Sequence, residues 1–175
     1  MGLEQLQAAF YTEAVRRGAL SGELLQFATI VGGHERAHVA FLQRALGRAG
    51  RSAPKFHFGD ATSDPERLGA AAHALENIGV AAYNGQGANL TAAAMSHAAE
   101  IVSVEGRHAG WIGALVGDPP APRAADPSVG NVSVRPASSP TNLVYSQYAS
   151  AAGSVVLLAV DVVEVAGPEV DEGVV

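Results

Sequence analysis

The chain has 175 residues, 48% hydrophobic and 16% charged, which is enough for one domain and a tail. A formal net charge of −6 speaks against a nucleic-acid surface, which needs clustered Lys and Arg. The absence of cysteine excludes disulfides, thiolate metal sites, iron–sulfur clusters and cysteine nucleophiles, and no stretch reaches the roughly 18 apolar residues of a membrane span.

Much of the apolar share is alanine, which loses no rotamer freedom in a helix. Residues 3–17 read as the first helix, with Leu3, Leu6, Phe10 and Ala14 in one apolar stripe and Glu4, Tyr11 and Val15 beside it. Arg16 and Arg17 suit the negative end of its dipole, and Gly18 can cap it. Met1-Gly2-Leu3 runs straight into this helix without a signal peptide, and Glu4 falls in the first turn. The reading therefore expects a segment missing upstream. The chain reads as cytoplasmic as it stands, and as exported if that segment carries a signal.

Ser21 is a fitting N-cap for a second helix over 22–47, whose stripe is Leu24, Phe27, Val31, Glu35, His38, Leu42 and Ala45. Gly32-Gly33 conflicts locally with helix, at roughly 1 kcal/mol per glycine, and fits either a close helix contact or a bulge. Residues 48–63 form a long link in which Phe56-His57-Phe58 should pack on the bundle. A third helix opens at Ser63 or Asp64, with Pro65 at its first position, and runs to about Asn84. Its inward stripe is Gly69, Ala72, Glu76, Val80 and Tyr83. After the turn 85–89, with Asn89 as the expected cap, a fourth helix over 90–116 carries Ala94, Ala98, Ile101, Glu105, His108, Ile112 and Leu115 on one face. Gly117 and Asp118-Pro119-Pro120 stop it.

Short connections make helices one and two, and three and four, antiparallel neighbours, while the long link crosses the bundle. The expected fold is thus all-α over 1–117: a four-helix bundle of two antiparallel hairpins with a long crossover. An irregular Pro/Ser-rich tail follows over 118–175, with an apolar segment near 154–165 that reads as a strand or a strap.

The chemistry lies in a repeated order. Glu4 is followed seven residues later by Tyr11, and Glu76 by Tyr83. After each pair comes a Glu-x-x-His, Glu35 with His38 and Glu105 with His108. Residues three apart on a helix differ by roughly 60° in direction, so each such Glu and His can grip one metal. The lone glutamates Glu4 and Glu76 can then bridge two ions or complete their shells. Mid-stripe carboxylates are very costly to bury unpaired, and cations totalling about +4 remove both that cost and their mutual repulsion. A mixed carboxylate–imidazole set suits iron or manganese. Tyr11 and Tyr83 lie two turns on and can hydrogen-bond a ligand carboxylate of the partner hairpin.

This order resembles the ferritin-like di-metal superfamily, and most closely its bacterial ferritin-like and desiccation-related group. The resemblance is carried by Leu3-Glu4-Gln5-Leu6-Gln7-Ala8-Ala9-Phe10-Tyr11, by His34-Glu35-Arg36-Ala37-His38-Val39-Ala40-Phe41-Leu42 and by Val104-Glu105-Gly106-Arg107-His108, and covers residues 3–117. It implies a ferritin-like four-helix bundle with Glu4, Glu35, His38, Glu76, Glu105 and His108 as metal ligands. It also implies two iron (alternatively manganese) ions and a ferroxidase or peroxide-scavenging oxidoreductase of oxidative or desiccation stress. Its small substrates would be Fe(II) and O2 or H2O2, and a homodimer is compatible with it. Relatives often carry an acid where Gln7 stands; lying roughly 60° from the Glu4 direction, Gln7 is expected to be without consequence.

Two other readings compete. A stress-related structural or interaction bundle would hold a structural metal or none. His34-Glu35-x-x-His38 also matches the zinc-metalloprotease signature, with His34 and His38 as ligands and Glu35 as base, but that leaves Glu4, Glu76, Glu105 and His108 unexplained. His73 and His97 read as structural, Arg36 and Arg107 as solvated, and His34, His57 and Trp111 as without a role.

Overall fold

The computed structural model describes residues 1–50 and 52–129, together with the backbone of short strands at 143–144, 158–159 and 161–163. Four helices dominate: α1 (Gly2–Arg17), α2 (Gly22–Leu46), α3 (Pro65–Gln86) and α4 (Ala92–Leu115). The most extensive packing is α1 on α2 and α3 on α4, so the two hairpins expected from loop length are present, joined by the long link. No helix among the described residues is long and apolar enough to cross a membrane.

Local chemistry sets the helix ends. Gly18 ends α1 at φ 70°, a left-handed conformation that suits a residue without Cβ, and its N–H bonds the Val15 carbonyl. Asp64 caps α3 by accepting from the Arg67 N–H at 2.9 Å, with Pro65 at the first helical position. Asn89 does not cap α4. The chain instead turns through a 3-10 segment at Gly87–Asn89, and Thr91 takes the cap, accepting from the Ala94 N–H at 3.3 Å. Thr91 sits one residue before the helix with extended backbone, where its hydroxyl can reach that N–H.

The core is aromatic around α1. Phe10 meets Tyr11 and Phe58 edge-on at 5.2 and 5.4 Å between ring centroids, and Tyr11 meets Phe27 at 5.8 Å. Leu6, Leu68, Leu75 and Ile112 are fully buried alongside. Each such side chain contributes roughly 1.5–3 kcal/mol relative to exposure. Phe58 is buried and Phe56 lies on it at 5.9 Å, so the link packs onto the bundle as its aromatic content suggests. Gly32 marks a close helix contact rather than a bulge, because a Cβ there would stand 2.8 Å from the Cβ of Tyr11.

Two stripe positions, and Val15 beside the first stripe, differ from expectation. Val15, Ala45 and Ala94 are exposed. The last turns of α2 and the first turns of α4 run past the level of Glu4, where α1 offers no neighbour to cover them. Helical period alone fixes a face but not the length over which a neighbour covers it.

In the link, β1 (Lys55–His57) pairs antiparallel with β4 (Asp161–Val163), Phe56 opposite Val162. β2 (Leu143–Val144) pairs antiparallel with β3 (Leu158–Ala159). The apolar segment 154–165 thus supplies strand at 158–159 and 161–163, and its other residues lie outside those described. The segment after α4 returns along α3, with the Val129 N–H on the Ala81 carbonyl at 3.0 Å and the Asn84 amide on the Pro127 carbonyl at 3.3 Å. The remainder of the expected Pro/Ser-rich tail also lies outside the described residues.

Candidate metal centre

The four helices deliver the repeated motif to one point in the middle of the bundle. Glu4, Glu35, His38 and Glu105 each offer an atom within 4.8 Å of the others, and so do Glu35, Glu76, Glu105 and His108. Every residue of the six is buried. Glu35 and Glu105 belong to both groups, whereas Glu4 and Glu76 belong to one each. The carboxylates placed to be shared are therefore those of the two Glu-x-x-His turns, and the lone glutamates stand at the two ends. The reason is helical phase: Glu35 and Glu105 sit at the centre of the α2 and α4 stripes and approach each other in the middle of the bundle.

His38 Nδ1 lies 3.1 Å from Glu105, 3.3 Å from Glu4 and 3.4 Å from Glu35. His108 Nδ1 lies 3.1 Å from Glu76 and 3.3 Å from Glu35. Both rings thus turn the same nitrogen inward. Burial disfavours charge on these imidazoles, but the surrounding carboxylates outweigh it, raising His38 to about 12 and His108 to about 9. Burial, reinforced by repulsion from Glu76, Glu35 and Glu4, lifts Glu105 to about 8 despite its contact with His38. Glu35 is raised as well, by burial first and then by Glu76 and Glu4. Burial pushes Glu4 up too, but the ion-pair contact with His38 at 3.3 Å and the hydrogen bond from Tyr83 prevail and hold it below its ordinary value. Without a metal the cluster keeps protons in order to neutralise itself.

Hydrogen bonds do not complete the cluster. Among the described residues, Glu4 Oε2, both carboxylate oxygens of Glu35, both of Glu105 and His38 Nδ1 are buried with no hydrogen-bond partner. A buried carboxylate oxygen without a partner is costly. Five oxygens and an imidazole nitrogen converging on a small volume are the donors a hard or intermediate cation takes, and they fit a pair of iron or manganese ions.

Around this set stands an outer layer. The Tyr11 hydroxyl donates to Glu76 Oε1 at 2.6 Å and the Tyr83 hydroxyl donates to Glu4 Oε1 at 2.6 Å. Each tyrosine reaches the lone glutamate of the other hairpin. Burial beside these anions raises both phenols far above their ordinary range, so both stay protonated and donate.

Two residues that the sequence reading set aside belong to this layer. Gln7 is fully buried, and its amide donates to Glu76 Oε1 at 3.1 Å and to the Leu75 carbonyl at 3.4 Å. An offset of roughly 60° from Glu4 turns it away from Glu4 but toward α3, a neighbour that the period of α1 alone does not reveal. His34 Nδ1 lies 2.8 Å from His108 Nε2. No signal within α2 points to that contact, because the partner is 74 positions away on α4. Gly79 was also silent in the sequence. A Cβ there would come within 2.7 Å of Glu105 Oε2, so its bare backbone makes room for that carboxylate.

The remaining candidates stand apart. His34 joins neither group, so it and His38 do not form the ligand pair of the zinc-protease reading. His73 faces Asp118 at 3.4 Å, and His97 faces Glu100 at 3.6 Å near the surface. His57 lies on β1. Arg36 is exposed and bonds Thr12 at 3.2 Å, while Arg107 borders an apolar recess of about 480 Å³ with Ile30, His34, His38 and Trp111. The Trp111 indole N–H donates to Glu23 at 3.0 Å.

A family model described as "Ferritin-like domain" matches residues 1–118 of the 175. A comparison with curated proteins found no match.

Proposed function

The chain belongs to the ferritin-like domain family, and on that footing we propose that its bundle holds a dinuclear non-haem iron or manganese centre that reacts with oxygen or peroxide. In this reading Glu4 and His38 would hold one ion and Glu76 and His108 the other, with Glu35 and Glu105 within reach of both. The observation that carries the reading is the set of buried carboxylate and imidazole atoms left without hydrogen bonds where the four helices meet. When bound, the ions would supply the one-electron redox steps that oxygen or peroxide reduction needs.

The chain's own residues set the terms of that chemistry. Tyr11, Tyr83 and Gln7 fix the orientation of the end carboxylates. The inward Nδ1 atoms of both histidines are held at the carboxylates by their helices. Leu6, Phe27, Val31 and Leu75 are fully buried in the same bundle core, and a low-dielectric interior strengthens charge interactions within it. Ferroxidase turnover and peroxide scavenging both follow from such a site.

Oxygen uptake separates this function from a structural role. Metal-free protein given successive aliquots of Fe(II) in air should keep consuming oxygen beyond the first two equivalents and develop a near-ultraviolet absorption band. Uptake of iron with no oxygen consumption would instead favour a bundle whose metal is structural and whose task lies in interaction with a partner.

A further inference from the structure

The two histidines of the cluster differ in what stands behind them. His108 points Nδ1 at Glu76 and Glu35, and its outer nitrogen Nε2 meets His34 Nδ1 at 2.8 Å. The two rings lie within 17° of parallel with centroids 5.1 Å apart. Two ring radii of roughly 1.2 Å plus the nitrogen–nitrogen gap account for that separation, so the rings sit edge to edge and not face to face. That is the geometry of a linear N–H···N hydrogen bond. For His38, among the described residues, no side chain stands in hydrogen-bond contact with the outer nitrogen, and the ring borders the apolar recess of about 480 Å³.

Such a bond needs one donor and one acceptor. If His108 Nδ1 gives its lone pair to a cation, its proton must sit on Nε2. His34 Nδ1 must then accept it, with the His34 proton on its own Nε2. We infer that His34 is a positioning residue for His108: it holds the inward nitrogen free of a proton, fixes the ring plane, and makes the two halves of the centre unequal. This rests on the proposed dinuclear site. The half with Glu76 and His108 is buttressed and takes a divalent cation first. The half with Glu4 and His38 lacks that support and exchanges its cation more readily. An imidazole acceptor is neutral, so it orients His108 without adding a further negative charge beside four carboxylates.

Zn(II) serves as a redox-silent probe. Calorimetric titration of the metal-free full chain should show two Zn(II) ions bound in resolvable steps. In the loaded protein, nitrogen-15 NMR should show His108 protonated at Nε2, with that proton exchanging slowly. His34→Phe keeps a ring of similar size but removes the acceptor. It should weaken the tighter step by about tenfold or more, leave the weaker step unchanged and speed exchange of the His108 Nε2 proton. His34→Asn places an amide oxygen near the position of Nδ1 and should restore both the affinity and the slow exchange. Wild-type values in His34→Phe, or the same defect in His34→Asn as in His34→Phe, would overturn the inference. Failure of the wild-type chain to bind any Zn(II), Fe(II) or Mn(II) would overturn the underlying site as well, which distinguishes the two failures.

Discussion

The Tyr83 hydroxyl donates across 2.6 Å to Oε1 of Glu4, and so ties α3 to α1 at the level of the cluster. Its counterpart, Tyr11 on Glu76, closes the other end of the site over the same distance. Replacing Tyr83 by Phe removes a hydrogen bond to a charged group, a loss of about 1.5–3 kcal/mol in the metal-free protein, measurable by denaturant unfolding. Metal affinity should also fall by about tenfold to a hundredfold at the Glu4–His38 half, with the other half little changed. Tyr11→Phe should act on the Glu76–His108 half instead. Competition titration with a chelator resolves the two; identical effects of both variants on both halves would contradict this division.

Gln7 gives a second test, because a donor there faces an anion. Gln7→Glu places a carboxylate about where the amide now donates to Glu76 at 3.1 Å. The two acids then repel at a buried site, so the variant should be less stable than wild type at pH 7 and regain stability on acidification, as one of the pair takes up a proton. Thermal unfolding at pH 5 and pH 7 checks the sign. Gln7→Leu should be milder than Gln7→Glu, since it removes a donor without adding charge.

Gly79→Ala opposes two forces of known direction. Alanine favours helix over glycine by about 1 kcal/mol, so an unobstructed site would gain stability. Here the added methyl meets Glu105 Oε2 at 2.7 Å, in the carboxylate common to both groups. The expected outcome is a bundle of normal helical content, by circular dichroism, that retains less than half the wild-type metal. Full metal content in a stabilised variant would show that Glu105 does not need the space.

Protons replace cations in the metal-free cluster, and that fixes a pH dependence. Glu105 is raised from 4.5 to about 8, mainly by burial, and His108 from 6.5 to about 9 by Glu35 and Glu76 against burial. Each group binds its proton more tightly folded than unfolded, so its stabilisation is present at low pH and lost as pH rises through the folded value. Metal-free protein should therefore lose stability as pH rises, through Glu105 from about 4.5 to about 8 and through His108 from about 6.5 to about 9, by on the order of 1 kcal/mol per pH unit for each proton so held. Protein loaded with a divalent cation has given up those protons and should show little of this decline. Melting temperatures of both forms across that range provide the check, and a rising metal-free curve would contradict it.

The bundle and the meeting of these six side chains in its middle were legible because each lies on a helix whose period is set locally. Glu35 and Glu105 stand out in apolar stripes where a lone acid is costly, and the motif occurs twice. What escaped the sequence depends on contacts between helices. Gln7 and His34 act on residues of α3 and α4, about 70 positions away. Gly79 matters only because Glu105 approaches it from α4. Ala94 lies on the right face of α4 but beyond the reach of α1, a matter of relative helix length that periodicity does not encode.

Metal stoichiometry decides whether four helices assemble a two-ion site. Metal-free protein equilibrated with excess Fe(II) under argon, freed of unbound metal and assayed by plasma emission, should carry two iron ions per chain. Glu35→Gln, which alters a carboxylate common to both groups, should carry fewer than one. No retained iron in the wild type, or a single zinc with unchanged content in Glu35→Gln, would contradict a dinuclear centre.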